Sequence, residues 1–410
     1  MDSIETTPLR QGSFRWFLVA KCASIIAYQM VGVAVGWQIY DLTHRAMDLG
    51  LVGLVQFIPS MLLVLLVGHV ADRYDRRRLV SISQFIEGLA LLALAAATGG
   101  HWISRDVIFL FVFCAGIARA FEFTTMQTLV PSMVNQEMLP KALAINASVM
   151  QASIIIGPML GGFIYVAGPA AVYKTGFSLL LFSALVISRI RIRHEFRQRE
   201  PVSLRTLFAG VFFIRSRPVL FGAISLDLFA VLLGGATALL PIYARDILLT
   251  SPRGLGFLRA APAVGAFAAS VYLSHYPLRR KVGRVMFTAV AWFGLATIVF
   301  ALSTSISLSF LALVLLGWAD MLSVVIRSSL VQLETPDDMR GRVSAVNSVF
   351  IGASNQLGEF ESGLTAAWFG VVPAALIGGI GTLMVVLIWL VLFPQLAKRD
   401  QLLPGNDVPP

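Results

Sequence analysis

The stretch Gly68-His69-Val70-Ala71-Asp72-Arg73-Tyr74-Asp75-Arg76-Arg77-Arg78 sets a run of charge between two long apolar segments, about 48–70 and 79–98. Charge is costly at the centre of a bilayer, so this is a short turn at a membrane surface whose four arginines stay in water. Working outward from it, 57% of the 410 residues are hydrophobic and 13% charged, against about 45–50% and 25% in soluble domains. A helix needs about 20 apolar residues to cross the hydrocarbon core. Twelve stretches qualify: 14–40, 48–70, 79–98, 107–134, 139–167, 170–190, 219–240, 255–274, 285–303, 308–331, 342–369 and 371–393. The fold class expected is all-α and integral to the membrane.

The net charge of +10 invites a nucleic-acid reading, but its distribution argues otherwise. Most Lys and Arg fall at alternate loops and span ends, on the side that carries the 68–78 turn, whereas Arg45, Arg105, Arg245, Arg253 and Arg259 take the other. The positive-inside rule then makes both termini cytoplasmic. The basic balance is a topology signal, and no nucleic-acid partner is expected. Residues 1–11 are polar and show no signal-peptide pattern. Cys22 and Cys114 lie in separate spans and define neither a disulfide framework nor a metal motif. No phosphate-cradling G-x-x-x-x-G-K-[ST] loop, H-E-x-x-H motif or clustered nucleophile and base occurs, which argues against an ATP-driven pump and against an enzyme.

The spacing Gly68, three residues, Asp72-Arg73 and then a basic cluster resembles the loop between helices two and three of the major facilitator superfamily. Asp75 stands where that family usually has glycine. The block Gly157-Pro158-Met159-Leu160-Gly161-Gly162 resembles the G-P-x-x-G-G signature of the superfamily's antiporters. An offset of 201 also aligns Gly116–Gly162 with Gly317–Gly363 without a gap, pairing Gly116 with Gly317, Asn146 with Asn347 and Gly157 with Gly358. The resemblance implies two pseudo-symmetric six-helix bundles with substrate between them near the midplane. The expected divisions are a first bundle at 1–190, a cytoplasmic linker with an amphipathic helix at 191–218, a second bundle at 219–395 and a cytoplasmic tail at 396–410. The second copy of the loop, around Arg279–Arg284, keeps its basic charge and has no aspartate.

Ionisable residues inside spans are candidates for function, because they face a bundle interior or a water-filled cavity. Arg119 and Glu122 are three apart and share a helix face. At the repeat's offset Arg119 becomes Asp320, Met126 becomes Arg327, Pro158 becomes Glu359 and Leu160 becomes Glu361. Asp227 lies in the seventh span. A carboxyl surrounded by low dielectric can exchange a proton near neutral pH, so Arg119, Glu122, Asp227, Asp320, Glu359 and Glu361 are the proton-coupling or cavity candidates. Tyr28, Trp37 and Phe123 are available to stack on an organic substrate. Lys21 and Tyr28, seven apart, return to nearly the same helix face; the other reading of Lys21 is a lysine snorkelling to the cytoplasmic surface. Glu87 reads equally as a partner of the basic loop or as a transport residue.

Asn355–Gly363 is similar to a segment of bacterial siderophore and drug exporters related to the enterobactin exporter. That resemblance implies export of a siderophore, drug or similar small molecule. Taken with the buried ionisable residues, the expectation is a proton-driven antiporter of the bacterial inner membrane working by alternating access among membrane lipids, as a monomer and with no cofactor. Asp72 and Arg73 would hold its cytoplasmic gate. The rival readings are a metal-ion exporter or symporter on the same fold and, further off, a lipid flippase.

Overall fold

The computed structural model describes residues 8–190, 204–278 and 280–402. In chain order the helices are α1 (Gly12–Thr43), α2 (Ala46–Arg73), α3 (Arg76–Gly99), α4 (Arg105–Gln127), α5 (Leu139–Ile164), α6 (Pro169–Arg189), α7 (Leu204–Ser216), α8 (Pro218–Leu233), α9 (Leu240–Ile242), α10 (Pro252–His275), α11 (Val282–Leu302), α12 (Ile306–Glu334), α13 (Asp337–Phe369), α14 (Val371–Leu392) and α15 (Pro394–Ala397). Among the described residues, eleven segments are long and apolar enough to cross a membrane. The remaining long helix, α13, has 33 residues, ample for a span, but its ionisable residues lower its apolarity. The seventh span departs from the single helix expected. It runs as α8, breaks at Gly234-Gly235, and continues through a 3₁₀ turn, α9 and a π-helical turn at Tyr243–Ile247.

By contacts the chain forms two compact units. The first contains Met1–His44, Val55–Pro201 and Ser251–Ala260; the second contains Arg45–Leu54, Val202–Thr250 and Ala261–Pro410. Each therefore takes in a helix start from the other half of the sequence. In the first unit α1 packs on α5 and α6, and α3 on α4 and α6. In the second, α8 packs on α13 and α14, and α11 on α12 and α14. The same pairings recur, and so does a turn: Gly168 before α6 and Gly370 before α14 have φ of +97° and +90°, a conformation that only glycine adopts at little cost.

The apolar cores lie inside each unit, around Phe14, Phe17 and Leu129 in the first and Leu220, Met286 and Leu330 in the second. Large apolar side chains also cover the outside, with Leu62 at 74% and Val391 at 79% exposure. That is the pattern expected where the solvent is lipid.

The basic turn is built locally. Asp75 caps α3 by accepting from the Arg77 amide at 2.9 Å and binds the Arg77 guanidinium at 2.7 Å. Arg77 in turn donates to the Ile190 carbonyl at the end of α6. The second half lacks an aspartate in its loop and obtains one from the tail: the Lys281 amide donates to Asp400 Oδ1 at 3.1 Å, and Arg399 pairs with Glu334 at 2.9 Å. The amphipathic helix expected in the linker is α7, which packs on α13 with Ile214 buried and Phe212 exposed. Linker residues 191–203 lie outside the described residues.

Candidate functional site

In the first unit, α1, α3 and α4 converge on one buried carboxylate. Glu122 is fully buried. Its Oε1 accepts from Ser24 Oγ and from Gln84 Nε2 at 2.9 Å, and its Oε2 receives Arg119 Nη1 at 2.6 Å. The sequence expectation that Arg119 and Glu122 share a face is realised as an ion pair. The Arg119 guanidinium lies 4.3 Å from the centre of the Tyr28 ring, a favourable cation–π placement. Glu87 is not a partner of the basic loop: it is 4% exposed, its nearest charged neighbours are Glu122 and Arg119, and its Oε2 has no protein partner. Two carboxyls and one guanidinium thus share one buried cluster.

Lys21 follows the shared-face reading, since it lines one cavity with Tyr28, and not the snorkelling one. A snorkelling lysine would reach water, but Lys21 is 6% exposed and its Nζ donates to Asn146 Oδ1 on α5 at 2.9 Å. Both residues line a cavity of about 440 Å³ together with Tyr28, Arg119, Glu122 and Phe123. Phe123 is 55% exposed and presents a bare ring. Trp37 packs against Tyr165 with ring centroids 6.3 Å apart, away from the cavity lining.

The glycine block of α5 permits close approach of backbones. A Cβ on Gly161 would stand 2.8 Å from Met30 Cα, and one on Gly162 would stand 2.4 Å from the Pro252 carbonyl oxygen. Pro158 is buried within the same helix, and Gly157 lies against Gln29. The block therefore brings α5 against α1, where Asn146 meets Lys21.

The second unit holds a separate acidic cluster. Asp227 on α8 pairs with Arg327 on α12 at 2.7 Å and accepts from Ser323 Oγ at 3.2 Å; all three are buried. Asp320, one helical turn from Ser323, faces the same water-sized gap as Asp227. Arg327 was absent from the candidate set, although its appearance where the first half has Met126 was the available signal. Glu359 and Glu361 serve different neighbours. Glu359 lies against Gly53, whereas Glu361 accepts from Thr365 at 2.7 Å on its own helix. Arg73 is exposed at the end of α2, and the Asp72 side chain lies outside the described residues.

Residues 4–409 match the profile of the family described as transmembrane secretion effector. The chain belongs to that family. It is similar to the enterobactin exporter EntS of Citrobacter koseri at 26% identity over 97% of this chain and 96% of the relative. The likeness to EntS of Salmonella choleraesuis is 24% over 96% and 95%. Among solved structures it resembles a bacterial homologue of the human lysosomal transporter Spinster, with TM-score 0.72 and 14% identity over 96% of this chain and 97% of that one. It also resembles a bacterial homologue of the iron transporter ferroportin, with TM-score 0.70 and 16% identity over 94% and 99%. This secretion effector is accordingly a multi-pass membrane transporter of the major facilitator type.

Proposed function

We propose that the protein is a proton-driven secondary exporter of a small organic molecule in a bacterial inner membrane, working as a monomer by alternating access. The observation that carries this reading is the buried Arg119–Glu122 pair that lines the 440 Å³ cavity, with the buried Glu87 next to it. Taking up or losing one proton there changes the charge facing Tyr28 and the cavity, which couples the proton to the ligand. Asp227, Asp320 and Arg327 supply a second such group, in which Asp227 and Asp320 face one water-sized gap. Glu359 and Glu361 remain further candidates on α13. Asp72 and Arg73 act at the cytoplasmic gate, by their match to the family's loop. The relatives' names support a siderophore or a drug-like molecule as cargo.

The test is transport in liposomes with an imposed pH gradient and a panel of siderophores, drugs and divalent metals. Organic cargo should move against the proton flow, and Glu87→Gln, Glu122→Gln or Asp320→Asn should remove the dependence on the gradient. Movement of metal alone, or organic transport indifferent to the gradient in the unaltered protein, would discard the coupling.

A further inference from the structure

We infer that the cavity of the first unit selects a small aromatic molecule carrying negative charge, and that Lys21 is the residue that reads the charge. The inference deepens the exporter reading, since it takes this cavity to be where cargo binds. Three charged groups line the cavity: Lys21, Arg119 and Glu122. Arg119 is neutralised by Glu122 at 2.6 Å, and its face is covered by Tyr28. Glu87 lies behind Glu122 and is not in the lining.

Lys21 has no comparable partner. Its nitrogen meets the neutral amide oxygen of Asn146 at 2.9 Å and stands 5.8 Å from the centre of the Phe17 ring, and no carboxylate among the described residues forms an ion pair with it. An ammonium has three protons to donate; Glu122, the carboxylate in the same lining, attracts it only from beyond ion-pair distance while Arg119 opposes that attraction, so the buried charge has no contacting counter-ion, which is unfavourable. A cavity wall is the setting in which a ligand can supply that charge.

The rest of the lining defines the other half of the ligand. Tyr28, Phe123, Met126 and Met150 offer flat and polarisable surface, and Gln29 and Gln127 offer amides beside them. A volume of about 440 Å³ lies within the usual range for small-molecule sites and takes one or two fused rings with a substituent. A cationic drug would meet Lys21 and a guanidinium already satisfied by Glu122, and like charges repel. An aromatic carboxylate would complete the ion pair Lys21 lacks while its ring lies against Phe123.

The measurement is equilibrium dialysis of the full-length protein in lipid nanodiscs, with empty nanodiscs subtracted. The ligands are naphthoate, naphthamide and naphthylmethylamine, one ring system in three charge states. The unaltered protein should bind naphthoate at least about tenfold more tightly than naphthamide, the size of one charge-assisted hydrogen bond, and the amine most weakly. Lys21→Gln should make naphthoate and naphthamide equal, and Lys21→Arg should keep the preference. If Lys21 only braces α1 against α5, Lys21→Gln lowers thermal stability while the preference survives, which overturns the inference. Equal affinities in the unaltered protein, or no naphthoate binding, also overturn it. A charge preference without proton-driven transport would sink the exporter reading and leave this one standing; proton-driven transport without the preference would do the reverse.

Discussion

At the scale of single residues, the buried ion pairs set what each unit tolerates. Asp227 and Arg327 form a desolvated pair, and removing one partner strands the other's charge, at a cost of about 3–5 kcal/mol. Asp227→Ala should therefore cut the yield of folded protein and lower its thermal midpoint. Asp227→Ala combined with Arg327→Met should recover much of the loss, because a paired deletion leaves no stranded charge. Thermal unfolding of the two purified variants checks this; a double variant no more stable than the single one would show that Arg327 is not held by Asp227. The legibility of these residues in the sequence was uneven. Spacing alone placed Arg119 beside Glu122, because residues three apart on a helix are neighbours. Spacing could not direct Glu87 inward or Lys21 onto Asn146, since each contact joins two different helices and spacing reports only the face of one.

At the scale of elements, the small residues of α5 decide how near the helices come. Gly161→Val would set side-chain atoms within 2.8 Å of Met30 Cα and 2.9 Å of its carbonyl oxygen, so α1 and α5 must part. Overpacking of this kind costs about 1–3 kcal/mol. The variant should unfold at lower temperature and lose affinity for cavity ligands, because Asn146 moves away from Lys21. Gly352→Ala, where an added Cβ meets nothing within 4 Å, should be neutral or slightly stabilising, since alanine is the better helix former. Equal melting of the two variants would show that close approach at Gly161 is dispensable. The glycine block was visible as a motif, but the motif did not say which helix it faces. The break at Gly234-Gly235 was signalled only by the glycine pair itself, since hydropathy runs through it, and a Cβ added at Gly235 would collide with the Gly358 carbonyl oxygen, which shows why no side chain stands there.

At the scale of the whole molecule, the charge distribution predicts an orientation. A fluorescent reporter that folds only in the cytoplasm should light when fused after Pro410, and an alkaline phosphatase fused at Arg105 should be active outside. The opposite pair of signals would invert the topology and, with it, the assignment of Asp72 and Arg73 to the cytoplasmic side. Length, composition, the apolar spans and the internal repeat determined the fold class, because a helix's need for about 20 apolar residues is a local demand that any window of the chain reports. The motifs also placed the family. Only the tertiary structure decided that Glu87 joins Glu122, that Arg327 holds Asp227, that Asp400 supplies the acid missing from the second loop, and that Lys21 faces a cavity and not the membrane surface. A buried charge finds its partner in three dimensions, and sequence periodicity reports the face of a helix without naming the helix across from it.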